Sequence, residues 1–260
     1  MNSPKLSVVI PAYNEAGRLP ASLERIIAYL DTRSLEYELL VVDDGSSDAT
    51  ASVAESIVSR LGERGRLLRN PQNLGKGASV RRGMLAARGA RVLFSDADLS
   101  APIEELVKLE QALDAGAGVA IGSRAVDPSL IEERQSLARS LMGRFFNLIV
   151  QTFAVRGISD TQCGFKLFAA DVVSPIFART RIERFGFDVE VLALAQRLGV
   201  PIAEVPVRWR NSPGSTVTLG QGARAFLDPM RVRFGMLLGR YHLRRATRWS
   251  GAARVPASGR

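Results

Sequence analysis

Two kinds of segment alternate along this chain, and that alternation constrains its fold more than any other feature. Leu6–Ile10 and Tyr37–Val42 are short apolar runs with the length of buried strands, as is the run that ends at Asp96. Shorter runs at Leu67-Leu68 and Val119–Ile121 read the same way. Between them lie stretches of helical period. Residues 18–31 place Leu19, Leu23, Ile26, Ile27 and Leu30 on one face. Further helices are expected from a Ser47 or Asp48 cap through Leu61, from Ala78 to about Arg88, and from Pro102 to about Ala115. Strand and helix in turn predict an α/β fold, a mostly parallel sheet covered by helices on both faces. Ligands of such sheets bind beyond the carboxyl ends of the strands. The polar loops Pro11–Glu15, Asp43–Asp48 and Asp96–Ser100 all fall at those ends.

The third loop carries two carboxylates one residue apart, Asp96 and Asp98. In extended chain they would point the same way, and two like charges held together are costly without a cation to share. A divalent ion such as Mg²⁺ or Mn²⁺ takes one or two carboxylates and completes its shell with phosphates and water. The competing reading is a polar loop in which Asp98 or Ser100 caps the helix that Pro102 opens. Both readings stand on this motif alone.

The pattern changes after Arg124. Residues 134–153 read as one amphipathic helix, with Leu137, Leu141, Phe145, Leu148, Ile149 and Phe153 interleaved with Arg134, Arg139 and Arg144. It is either a core helix with a basic edge or a helix lying in a membrane interface. Gly157–Phe168 is a second polar island, and Phe185–Glu190 opens a helix in which Asp188 and Glu190 suit the first turn. Pro201–Arg210 reads as an edge strand, Gly214-Ser215-Thr216 as a turn, and Gln221–Leu238 as a last helix before a basic tail.

Composition excludes several chemistries. The 260 residues carry a net charge of +9, which points to an anionic partner: nucleic acid, an acidic membrane surface or a phosphorylated substrate. Eight arginines and no acid follow Asp228. A lone histidine, His242, argues against a histidine triad or a zinc site. A lone cysteine, Cys163, allows no internal disulfide and fits a reducing compartment. Lys76 sits in Gly75-Lys76-Gly77 without the earlier glycine of a Walker loop, and no dinucleotide fingerprint follows a strand. No run approaches the roughly 18 apolar residues of a membrane span, and the first residues lack the apolar region of a signal peptide. The expectation is a membrane-peripheral protein on the cytoplasmic side. Clustered acids, a Gly-Lys loop at a helix start and excess arginine suit a nucleoside diphosphate held through a metal.

Four motifs occur in order: Val8-Val9-Ile10-Pro11-Ala12-Tyr13-Asn14-Glu15, Val41-Val42-Asp43-Asp44-Gly45-Ser46-Ser47-Asp48-Ala49-Thr50, Asn73-Leu74-Gly75-Lys76-Gly77 and Asp96-Ala97-Asp98. Together they resemble the family-two inverting GT-A glycosyltransferases. Asp160–Phe168 and Phe187-Asp188-Val189-Glu190 narrow the resemblance to the dolichyl-phosphate glucosyltransferase branch, with the dolichyl-phosphate mannose synthases as relatives. The resemblance covers roughly residues 6–218. It implies a GT-A fold, with a Rossmann-like nucleotide-sugar half over 1–124, an acceptor half over 125–218, and a C-terminal helix and tail over 219–260.

The resemblance also implies roles. Pro11, Tyr13, Asn14 and Glu15 would bind the donor, with Asp43 and Asp44 beside the base and Lys76 on the diphosphate. Asp96, Ala97 and Asp98 would flank the ribose. Asp96 and Asp98 would hold Mg²⁺ or Mn²⁺, with Ser100 standing where mannose synthases often have a glutamine. Arg208, Arg210 and Ser215 would close over the diphosphate. Arg124, with Arg134, Arg139 and Gln162, would meet the acceptor phosphate. The implied reaction moves a hexose, glucose before mannose, from a nucleoside diphosphate to a polyprenyl or dolichyl phosphate with inversion. Such an acceptor is already anionic and needs placing rather than deprotonating. A hydroxyl acceptor would need a general base, for which Asp160 and Asp188 are the candidates. A different class, a basic nucleic-acid-binding module, would rest on the arginine-rich tail, yet no nucleic-acid reader motif is present.

Overall fold

The structure, a computed structural model, describes residues 4–131, 149–210 and 227–242. Arg134, Arg139 and Ser215 lie outside the described residues, as does most of the expected helix 134–153. Of that helix, residues 149–153 are described, and they are helical.

Seven strands form one sheet. They are β1 (Leu6–Ala12), β2 (Tyr37–Asp43), β3 (Gly65–Arg69), β4 (Arg91–Ser95), β5 (Val119–Ser123), β6 (Phe165–Ala169) and β7 (Ile202–Pro206). The helices are α1 (Leu19–Thr32), α2 (Thr50–Val58), α3 (Lys76–Ala86), α4 (Leu106–Asp114), α5 (Ala170–Phe177), α6 (Phe187–Arg197) and α7 (Asp228–Leu237). Strand order is β3-β2-β1-β4-β6-β5-β7. β1 pairs parallel with both β2 and β4, so the strand order reverses at β1. A doubly wound sheet opens a crevice at such a reversal, outside the carboxyl ends of its strands.

Residue alternation sorts the core onto two faces. Val8, Ile10, Leu39, Val41, Leu93 and Leu167 face α1, α2 and α4, whose Leu23, Ile26, Ile57 and Leu106 are buried against them. Val9, Leu40, Val42, Val92 and Phe94 face the other way, against α3, α5, α6 and α7 through Val80, Met84, Ile176, Leu192 and Val232. Among the described residues the expected helices and parallel strands are present with shifted ends; the start of the helix expected over Gln221–Leu238, like most of 134–153, lies outside them. The segment after Pro102 begins as a 3-10 turn (Ile103–Glu105) before α4, and α2 gives way to another (Ser59–Arg64).

One strand departs from the sequence reading. Phe165–Ala169, taken there as part of a polar island, is β6. It lies antiparallel between β4 and β5, with Phe94 and Ile121 both opposite Lys166. An antiparallel strand begins where its parallel neighbours end. The 160–164 segment is thereby delivered to the same edge as the loops after β1, β2 and β4. Lys166 is 1% exposed and its ammonium lies 2.5 Å from Asp188 Oδ1 on α6, donating also to the Cys163 carbonyl at 2.5 Å. A buried ammonium needs such partners, and this pair ties β6 to α6.

α3 crosses β1 and β2 closely at Gly83, where a Cβ would overlap Val9 and meet Val42 Cγ2 at 2.9 Å. Gly83→Ala is expected to destabilise the fold by about 1–3 kcal/mol through overpacking, read as a lower midpoint in urea with an unchanged slope.

Candidate active site

The crevice at the sheet edge is a cleft of about 260 Å³. Pro11, Tyr13 and Glu15 line it from the β1 loop, Asp44 from the β2 end, Lys76 and Ser79 from α3, and Asp96, Ala97 and Asp98 from the loop after β4. Arg18, Asn73, Arg184 and Phe185 complete the lining. Eight of the residues assigned to the donor from the sequence thus meet in one place.

The loops are laced to one another by side chain to backbone bonds. The Asn14 amide donates to Ser46 Oγ at 2.9 Å, and Asn14 Oδ1 accepts from the Ser47 amide at 2.9 Å. The Glu15 amide donates to Thr50 Oγ1 at 2.7 Å. Asn14 sits at φ +54°, a backbone state that asparagine tolerates better than most residues. Its work is to join two loops, and it is not part of the lining. Asp43 also differs from expectation. Its carboxylate is fully buried, accepts from the Ser46 amide at 3.2 Å and has Arg69 Nε 3.5 Å away, so it braces the loop from behind.

Asp44 is the pivot. Oδ1 accepts from Asn70 Nδ2 at 2.8 Å and from the Leu74 amide at 3.0 Å, and Oδ2 accepts from the Gly75 amide at 2.8 Å. Each carboxylate oxygen has two lone-pair sites, so Oδ2 alone retains one for a ligand. The three bonds fix the turn into α3. Gly75 stands at φ +106°, and a Cβ there would strike the Glu183 carbonyl, so only glycine fits. α3 then opens at Lys76 beside the cleft, and the positive end of its dipole suits an anion there, although the Ala78 amide of the first turn is already taken by the Glu183 carbonyl at 3.0 Å.

Lys76 Nζ lies 2.7 Å from Asp96 Oδ1. Burial pulls the lysine down, but the carboxylates of Asp96, Asp188 and Asp98 outweigh it and hold Lys76 above its ordinary value. It is an ammonium at any physiological pH. Asp96 Oδ1 is buried and accepts no well-angled hydrogen bond, so the Lys76 contact is ionic. Asp96 and Asp98 are not on extended chain, as the spacing suggested. β4 ends at Ser95, and the Leu99 amide closes a turn on the Asp96 carbonyl at 3.3 Å, with Leu99 at φ +46°. Asp98 Oδ1 accepts from the Ser100 amide at 3.0 Å, and the Ser100 carbonyl accepts from the Arg210 amide at 2.8 Å. Ser100 and Arg210 therefore brace this loop and do not line the cleft. A Cβ on Gly164 would overlap the Asp96 carboxylate, and the Asp96 amide donates to the Gly164 carbonyl at 2.9 Å. β6 thus seats Asp96 directly.

Two acids expected as possible bases are engaged otherwise. Asp160 is 7% exposed. It receives Arg124 Nε at 2.6 Å and Nη2 at 2.8 Å, a two-pronged pair, with the Arg124 and Gln162 amides also donating at 3.1 Å. Burial would raise Asp160, but Arg124 overrides it and holds the carboxyl below its ordinary 3.8. The partner effect is mirrored in Arg124, raised by Asp160 against burial. Glu204 on β7 accepts from the Ser159 and Asp160 amides at 2.9 and 2.8 Å and sets this turn. Asp188 is buried against Lys166, its pKa raised by desolvation, and it does not line the cleft. Neither acid is free to take a proton from a substrate. Arg124 and Gln162 also lie outside the cleft lining, beside the turn that leads to Gly164.

Arg18, Arg184 and Phe185 are the lining residues that sequence reasoning missed. Arg18 forms an ion pair with Glu15 at 2.6 Å, an i,i+3 spacing visible in the sequence. Arg184 and Phe185 come from a loop more than eighty residues beyond Asp98, with no local signal. As to a metal, Asp96 and Asp98 are hard oxygen donors in the same cleft, with the Lys76 ammonium already 2.7 Å from Asp96 Oδ1. Among the described residues no cluster of three or more His, Cys, Asp or Glu could hold an ion by itself. Two carboxylates and a bound phosphate fit Mg²⁺ or Mn²⁺ without one.

Comparison with known proteins bears on the family and the fold. The profile of "Glycosyl transferase family 2" matches residues 7–177. A dolichyl-phosphate beta-glucosyltransferase of Drosophila melanogaster is 44% identical over 226 residues, covering 82% of this chain and 69% of the relative. The one from Dictyostelium discoideum is 40% identical over 247 residues, 90% of this chain and 75% of the relative. Among solved structures, glucosyl-3-phosphoglycerate synthase from Mycobacterium tuberculosis in complex with Mn²⁺ and UDP-glucose superposes with a TM-score of 0.65 at 20% identity, over 93% of this chain and 80% of that one. That likeness concerns the fold.

Gly164→Ala is expected to leave the protein folded by circular dichroism yet lower turnover about 100-fold, because a misplaced site group costs on that order. Asp160→Asn is expected to cost about 2–4 kcal/mol at neutral pH. A carboxyl held low stabilises fully above its unfolded pKa and less as pH falls through the folded one. The gap between wild type and variant in denaturant titrations should therefore be full at pH 6 and narrow below pH 4.

Proposed function

The chain belongs to glycosyl transferase family 2, and on that premise we propose that it moves glucose from a nucleoside diphosphate to a phosphate on a dolichyl-type polyprenol, with inversion. One observation carries the donor side: the start of α3, Lys76 and the Asp96–Asp98 turn share a single cleft. The relatives at 40% and 44% identity are dolichyl-phosphate beta-glucosyltransferases, which supports the sugar and the acceptor.

In this reading Tyr13 and Pro11 flank the base, and the open lone pair of Asp44 Oδ2 accepts from it. Lys76 and the positive end of α3 take the diphosphate. Asp96 and Asp98 would hold Mg²⁺ or Mn²⁺, which supplies Lewis-acid neutralisation of the departing diphosphate. Arg124, fixed by Asp160 and 5.4 Å over the Trp209 ring, is the group proposed to receive the acceptor phosphate. A phosphate oxygen attacks the anomeric carbon. The bond to the diphosphate breaks on the opposite side, and the nucleoside diphosphate leaves with the electron pair. No proton has to move, which suits a site whose two candidate bases are tied up. That favours a phosphate acceptor over a hydroxyl. The division into a donor half, 1–124, and an acceptor half, 125–218, is retained as part of this proposal.

Contact with a membrane face is supported by α7 and its following turn. Phe234, Leu237 and Leu238 are 61–67% exposed at i, i+3, i+4 spacing, with Arg233 and Arg240 beside them. Among the described residues no helix is long and apolar enough to cross a bilayer. A peripheral position on the cytoplasmic face is the proposed setting.

Purified protein with labelled UDP-glucose, dolichyl phosphate and Mn²⁺ should yield label in the organic phase, with less from GDP-mannose, and chelation should abolish it reversibly. Absence of labelled lipid with every polyprenyl phosphate tried, or transfer to hydroxyl acceptors instead, would overturn the reading.

A further inference from the structure

The loop between α5 and α6, residues 178–186, supplies Arg184 and Phe185 to the cleft. Its backbone lies flush on the first turn of α3. The Ala78 amide donates to the Glu183 carbonyl at 3.0 Å, and a Cβ on Gly77 would overlap the Ile182 carbonyl. The far side of the loop is held by one buried carboxylate. Glu190 accepts from the Arg181 amide at 2.9 and 3.0 Å and from the Ile182 amide at 2.9 Å. Glu190 is fully buried, and a further partner comes from the C-terminal segment of the chain. Tyr241, just beyond α7, donates its hydroxyl to Glu190 Oε1 at 2.8 Å. α7 also touches the loop at its other end, where the Asp228 side chain packs on Gly186 so closely that a Cβ would overlap it.

We propose that the α7 segment is a positioning element for donor binding: Tyr241 orients Glu190, Glu190 holds residues 181–182, and the loop so fixed sets Arg184 and Phe185 over the nucleotide cleft. This rests on the donor reading given above. It adds a role for a segment that the cleft itself does not include. Neither Tyr241 nor Glu190 lines the cleft, so they act through the loop. Removing a hydroxyl from a buried carboxylate leaves that carboxylate short of a donor, which costs binding or order where the loop is needed.

The test uses the full chain and two variants. Tyr241→Phe removes one oxygen and keeps the ring in its pocket. Gly186→Ala keeps a permitted backbone, φ −75°, but forces Asp228 and the loop apart. Val107→Ser, on the exposed side of α4, is the control. UDP affinity is measured by calorimetry without acceptor, and melting is followed alongside. Both variants should bind UDP five- to tenfold more weakly and raise the donor KM to match. Lipid KM and kcat at saturating donor should stay within twofold. The control should bind as wild type. Should one variant lose its cooperative melt, the other decides. Wild-type UDP affinity in a folded variant, or a fall in kcat without a change in donor KM, overturns the proposal. Failure of the unaltered protein to bind UDP overturns the donor reading itself, and this proposal with it.

Discussion

A buried carboxylate without hydrogen-bond donors destabilises the fold around it, and Asp44 accepts from three N–H donors, all in the connection between β3 and α3. Those bonds decide where α3 begins. Because α3 begins there, its positive end and Lys76 are presented at the reversal of strand order. Asn70 extends the same link, donating at 2.8 Å to Ser79 Oγ within α3. The cleft is thus a product of polar bonds made on the way out of β2, before any ligand is considered.

Three cation–carboxylate pairs surround the site: Lys76 with Asp96, Arg124 with Asp160, and Lys166 with Asp188. Their common effect is to hold groups still. A site that must stabilise charge on a departing diphosphate gains from donors fixed in advance, since nothing then has to reorganise during reaction. The acids in it need not act as bases if the nucleophile arrives ionised. Cys163, next to Gly164, is inert in the same sense. Burial pushes its thiol up to about 12, and it packs among apolar neighbours.

Much of this was legible in the sequence because residues 6–124 follow local rules. Apolar runs of strand length and the helical stripe at Leu19, Leu23, Ile26 and Leu30 specify the parallel sheet and its cover. The loops that follow them collect Pro11, Tyr13, Glu15, Asp44, Lys76 and the two aspartates without any long-range information. The chain beyond Arg124 was harder to read. Phe165–Ala169 is short, and it buries a lysine whose partner is 22 residues onward, so it read as a polar island. Asp160 and Asp188 looked like reactive acids because sequence shows the carboxylate and hides its partner. Asn14 and Asp43 have the composition of ligands and the bonds of scaffolding. Arg184 and Phe185 reach the cleft through a loop whose place is set by Glu190 and Tyr241, contacts that no local pattern encodes.

The central position of β6 has a consequence for how the chain assembles. β4 is complete by residue 95, yet one of its edges stays open until residues 165–169 arrive. Closing that gap carries the entropy of a loop of some seventy residues, and such pairings form slowly. On the ribosome, β1 to β4 would emerge as an open four-stranded sheet with an unpaired apolar edge, the kind of surface that recruits other strands. The strand that seats Asp96 in the finished protein is therefore also the one that covers the open edge of β4 during its synthesis.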